Sequence, residues 1–212
     1  MKTLLEFKDE IKAHNPCASK YKEFLEAKDE KERAMVVIDN LAWCYQKGLL
    51  ELIKATHSIT YITEGIKSVD WYAVELAADN GHLEVLKYLN SITDITEGIK
   101  ADNWAAIRCA AENAHLEVLK YLNSITDISE GIKADNWFAV RWAAKYGHLE
   151  VLRYCNSIVD ISEGIKEDNW FAVRWAAYCG HLEVLKYLNS IVEIPEQFFK
   201  SLILKNAGIG NC

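Results

Sequence analysis

A spacing of 33 residues constrains this chain more than any other feature. Trp71, Trp104, Trp137 and Trp170 follow it, as do His82, His115, His148 and His181, and Gly65, Gly98, Gly131 and Gly164. Residues 135–161 match residues 168–194 at 22 of 27 positions. A degenerate earlier copy aligns Gly48 with Gly81, Leu50 with Leu83, Glu51 with Glu84 and Lys54 with Lys87. Self-similarity at such a period means one small unit that cannot hide its own apolar face, so that copies must stack. The reading is five units at 36–68, 69–101, 102–134, 135–167 and 168–192. Residues 1–35 precede them as an N-terminal helical cap, and 193–212 follow as a C-terminal cap.

Each unit reads as two short helices. Asp70, Asn103, Asn136 and Asn169 stand just before the periodic Trp, where an Asx side chain can accept an orphan helical N–H as an N-cap. The first helix, for example Trp137 to Tyr146, carries Ala143 and Ala144, small enough for a neighbouring helix to come close. Gly81, Gly147 and Gly180 suit a left-handed helix end. In the third unit Ala114 takes that place and is expected to be strained. The second helix starts at the His, with Leu83, Leu86, Leu89 and their copies as its apolar stripe. Its Glu84–Lys87 type pairs lie on the solvated face. For the caps, Leu4, Leu5, Phe7 and Ile11 form one apolar pattern, and Tyr21, Phe24 and Leu25 a second after Pro16. Pro195 and FFKSLILK supply a closing face at the other end.

Lys plus Arg number 24 against 31 Asp plus Glu, a formal charge of −7. The first 35 residues are balanced, so the excess lies in the repeats. That balance argues against nucleic acid as the main partner, since such proteins usually carry a basic face. The N-terminus has acids inside its only apolar stretch, unlike a signal or transit peptide, and no window approaches a membrane span. Six cysteines without paired spacing are expected to be free thiols, and the chain is expected to be cytoplasmic.

The unit A-A-x-x-G-H-x-E-V-x-x-Y-L resembles the ankyrin repeat, and AVRWAAKYGHLEVLRY (139–154) is especially similar to ankyrin repeats of large DNA viruses of amoebae. The resemblance covers about 155 of the 212 residues. It implies an all-α ankyrin-type solenoid of stacked antiparallel helix pairs with helical caps. It also implies a non-catalytic scaffold that binds another protein through loop tips and the inner helix face. A viral origin would make it host-directed, in the cytoplasm of the host cell. The family's Thr-Pro-Leu-His is absent: Phe138-Ala139-Val140-Arg141 stands there in one unit. The Asx cap and the Trp must replace its hydrogen bonding. The family's Gly-Ala-Asp is also missing. The connection TDISEGIKADN is longer, with regular isoleucines such as Ile128 and Ile132, unlike a flexible hairpin.

No catalytic, metal or cofactor site is expected. Packed helices lie about 8–10 Å apart, whereas a zinc–nitrogen bond is about 2.0–2.1 Å, so equivalent histidines cannot share an ion. They read as structural residues. Cys109, Cys155 and Cys179 read as small buried hydrophobes, since nothing arranges a base and an oxyanion hole around them.

Partner-binding candidates come from two sets. Trp71, Trp104, Trp137 and Trp170 form either a buried seam between repeats or an exposed aromatic platform. On the first helix, the framework holds while two columns change: Glu75, Arg108, Arg141, Arg174, and Asp79, Glu112, Lys145, Tyr178. They are four residues apart and share a face, acidic in the early units and basic in the late ones. The chain is read as an adaptor or blocking inhibitor that works by occupancy, as a monomer. The alternatives are a self-assembling structural protein and an acidic decoy of a nucleic-acid-binding protein.

Overall fold

The computed structural model describes residues 3–14, 16–29, 33, 36, 41–59 and 71–196; among them every regular element is a helix. The chain divides into two compact units, Met1–Gly98 and Ile99–Cys212.

In the first unit, a 3-10 turn at Leu4–Phe7 runs into the helix Lys8–Ala13, and Ala18–Glu26 follows. Leu4, Phe7, Ile11 and Phe24 are buried, whereas Leu5 and Leu25 are exposed. The Tyr21 hydroxyl donates to the Lys8 carbonyl at 3.1 Å and ties the two pieces together. The 3-10 turn packs on Leu50–Ile59, the second helix of the first repeat, whose Leu52 and Ile53 are fully buried. The segment thus covers an apolar face of the first repeat. Leu41–Gln46, the first helix of that repeat, packs in turn on Trp71–Asp79 of the next. Asp70, Gly65 and the C-terminal closing segment from residue 197 lie outside the described residues.

The helix pairs follow the expected registers. Ala77 and Ala78, Ala110 and Ala111, Ala143 and Ala144, and Ala176 and Ala177 are wholly buried, because a small side chain on each first helix lets the neighbour approach. Second helices run Leu83–Ile92, Leu116–Ile125, Leu149–Ile158 and Leu182–Ile191. Their buried stripe is Val85, Leu86 and Leu89 and the equivalents, not the Leu83 column: Leu83 is half-buried and its copy Leu182 is exposed. The cause is helical phase. With 3.6 residues per turn, the Val and the Leu that follows it flank the contact line, while the first Leu sits at its edge.

The connection between repeats is itself helical. Ile95, Ile99, Ile128, Ile132, Ile161 and Ile165 are buried at its two ends. The carboxylates of Asp94, Asp127 and Asp160 each accept the backbone N–H two residues on, at 2.9 Å, and start the turn. Next come three residues in the left-handed region: Asp102, Asn103 and Trp104 at φ 46°, 56° and 63°, with Asp135–Trp137 and Asp168–Trp170 alike. The Asn residues are therefore not N-caps, which need extended backbone. Asp and Asn tolerate the left-handed region because a short polar side chain can bond locally. Trp has no such relief, and each costs on the order of 1 kcal/mol there.

Ala114 has φ 62°, in line with Gly48, Gly81, Gly147 and Gly180 at φ 64–81°. The site is also tight: a Cβ placed on the equivalent Gly147 would lie 2.7 Å from the His181 ring. Ala114→Gly should therefore stabilise the chain by about 1 kcal/mol and raise its melting temperature by about 2–4 °C. A thermal melt that shows no rise would contradict this assignment of the turn.

Candidate functional site

The periodic residues divide into a framework and a face. Histidines belong to the framework. His82 Nε2 lies 2.8 Å from the Gln46 carbonyl of the preceding repeat, and His148 Nε2 lies 2.8 Å from that of Glu112. A carbonyl only accepts, so each ring carries its proton on Nε2. Burial holds the His148 imidazole below its ordinary range, and His181 and His115 nearby add to the cost of its charge. Among the described residues no cluster of three or more His, Cys, Asp or Glu is placed to hold a metal. Cys155 and Cys44 are buried, which pushes each thiol up to about 12; Cys109 and Cys179 are half-buried.

The tryptophans are also seated against their neighbours. Trp71, Trp104, Trp137 and Trp170 are all half-buried. A Cβ on Gly98 would collide with the Trp71 ring; on Gly131 it would lie 2.8 Å from Trp104, and on Gly164 2.7 Å from Trp137. The periodic Gly of the connection thus leaves room for the indole at the start of the same repeat to lie against its backbone. This places the rings in the seam, with one edge open to solvent.

The arginine column clamps that seam. Arg108 donates to the carbonyls of Asn103 at 3.1 Å and Asp102 at 2.9 Å. Arg174 does the same to Asn169 and Asp168, at 2.8 and 3.1 Å, and Arg141 bonds Asp135 at 3.0 Å. These are the carbonyls that the left-handed turn exposes. Arg108 and Arg141 then reach the next repeat, to Asp135 at 3.2 Å and Asp168 at 3.3 Å. They also lie over Phe138 and Phe171, 5.4 and 5.2 Å from the ring centres. Their side chains are only 21% and 13% exposed. Arg174 is exposed, and Ser201 stands 27 residues on, where the pattern would need an Asp.

What remains accessible in the second unit is an aromatic surface on the last two first helices. Phe138 stacks on Trp142 at 5.1 Å, Trp142 meets Tyr146 and Phe171 at 5.8 Å each, and Trp175 meets Tyr178 edge-on at 5.4 Å. Tyr146 and Tyr178 are 44% and 43% exposed. Lys145 lies among these rings, its Nζ 3.6 Å from the centre of Trp142 and 5.0 Å from those of Tyr146 and Trp175. Trp142 and Trp175 are half-buried and form the floor of this surface. The third repeat carries Ala105, Cys109 and Asn113 at the columns of Phe138, Trp142 and Tyr146. The helix pair of that repeat forms without rings at these columns. That contrast was legible in the sequence. In the first unit Glu75 and Asp79 are half-buried on Trp71–Asp79; Glu112, in the second, lends its carbonyl to His148.

Two measurements test the framework. Arg141→Ala removes a seam hydrogen bond and a partly buried ion pair, and should cost about 1–3 kcal/mol, with Arg174→Ala, which has no carboxylate partner among the described residues, costing less. Equal losses in urea unfolding would contradict the clamp. The unfolded chain protonates His148 more readily than the folded one does. Its contribution to stability is complete above about pH 6.5 and is lost as the pH falls below that value. The melting temperature should therefore drop between about pH 7 and pH 5.5, and less steeply in His148→Gln, which keeps an N–H donor. A parallel slope in the variant would speak against His148 as the group responsible.

No protein-family model matches the chain, and no curated protein matches it. Among solved structures it is similar to an ankyrin repeat family protein from Legionella pneumophila, with a TM-score of 0.58 and 23% identity. The match covers 98% of this chain and 61% of that one. The likeness shows the fold: an all-α helical repeat of the ankyrin type.

Proposed function

We propose that the chain is a scaffold that binds another protein through the first-helix face of its last two repeats and the adjoining connections. The supporting observation is the difference between repeats of one framework. Where the third repeat has Ala105, Cys109 and Asn113, the fourth presents Phe138, Trp142 and Tyr146, half-buried or exposed. Aromatic residues with one accessible face are the commonest anchors of protein interfaces. On this reading the scaffold acts by occupancy, as an adaptor or as a blocker of its target. It works in the cytoplasm, as a monomer, and a viral origin would make its target a host protein. Arg108 and Arg141, with Trp104 and Trp137, belong to the seam between repeats of the second unit; Lys145, Tyr178 and the aromatic floor make the contact.

Affinity capture from a lysate, read by mass spectrometry, tests this. Tyr146→Ala with Trp175→Ala should lose the captured partner, while Glu150→Lys on the solvated second helix should keep it. Identical captures by all three proteins would overturn the assignment. Light scattering that finds an oligomer would favour self-assembly instead.

A further inference from the structure

The proposal here rests on that reading and concerns the chemistry of the partner. Most cations of the second unit are paired internally. Lys120, Lys133, Arg153, Lys166 and Lys186 each pair with the glutamate three residues before, and Arg108 and Arg141 pair with the next repeat's aspartate. Lys145 and Arg174 stand apart: neither has a carboxylate partner among the described residues. Arg174 is occupied by the turn carbonyls, and Lys145 lies on the aromatic face. Lys145 holds its ammonium over Trp142, with Tyr146 and Trp175 on either side.

Three rings fix a side chain that is otherwise long and mobile, so the entropy of ordering it is largely settled before any partner arrives. Their apolar surface also keeps water from part of the ammonium. A carboxylate that approaches from the open side meets a cation already in place and already partly desolvated. The rings beside it would accept an apolar or aromatic neighbour of that carboxylate.

We infer that the face centred on Lys145, Trp142 and Trp175 binds an acidic peptide segment, with a partner Asp or Glu seated on Lys145 and an adjacent apolar side chain on the rings. The overall acidity of the chain does not oppose this, because the excess acids lie elsewhere. It does oppose a single-stranded nucleic acid, the other ligand that aromatic floors with cations can hold. A long polyanion would have to run past the glutamates of the solvated faces.

Selection of a displayed library of random peptides on the folded full chain tests the inference. Wild type should enrich peptides with Asp or Glu beside Phe, Leu or Ile. Lys145→Glu should bind those peptides about tenfold or more weakly and should itself enrich Lys- and Arg-bearing ones. That variant is compatible with the fold, since the same column carries Asp79 and Glu112. Lys145→Gln, with the charge removed and the stem kept, should melt with wild type and lose most of the affinity. Neutral or basic peptides, or acidic ones indifferent to Lys145→Glu, would overturn the inference and leave the binding face standing. No enriched peptide, or quenching of tryptophan fluorescence by polydeoxythymidine, would overturn both.

Discussion

An ankyrin-type hairpin has more apolar surface than it can cover by itself, and everything else in this chain answers that deficit. The Ala pairs bring helices close, and Val85, Leu86 and Leu89 and their copies fill the space between. What distinguishes this array is how the repeats are joined. The chain crosses between them on three left-handed residues, an arrangement that L-residues adopt only under compulsion. Three contacts supply the compulsion. Isoleucines anchor the short helical run before the turn, the preceding indole lies on its glycine, and an arginine gathers the exposed carbonyls. The Thr-Pro-Leu-His of ankyrin repeats is absent here, and this seam joins the repeats.

The repeat, its helix pairs and the left-handed Ala114 could all be read before any coordinates, because each is a local consequence of periodicity and of where glycine falls. The connection could be read only in part. Ile128 and Ile132 signalled order, but an Asn before a Trp has two local solutions, a cap or a left-handed turn. The choice between them is made by Arg108 and Arg141, several residues further on. The phase of the Leu stripe was similarly ambiguous, since Leu83 and Val85 both lie near the contact line.

Function is written in the differences between copies, and here sequence alone mixes two kinds of column. Arg108, Arg141 and Arg174 change from Glu75 just as Lys145 and Tyr178 change from Asp79 and Glu112. In the first, Arg108 and Arg141 are committed to the seam; in the second, Lys145 lies half-buried among rings and Tyr178 is exposed. The signal that separates them is the aspartate 27 residues on, Asp135 or Asp168, which has no counterpart for the second column. Six aromatic rings and a lysine brought together by adjacent first helices could not be inferred from spacing along the sequence.

The clamp also limits how such a chain can change in length. Arg108 and Arg141 find their partners only because each repeat keeps the same count of residues from guanidinium to carboxylate. Duplication or loss of a complete copy preserves that count, whereas a shorter insertion or deletion inside a copy moves the acid off the base and the glycine off the indole. Growth of the array is thus quantised, and its natural mutational step is a whole repeat.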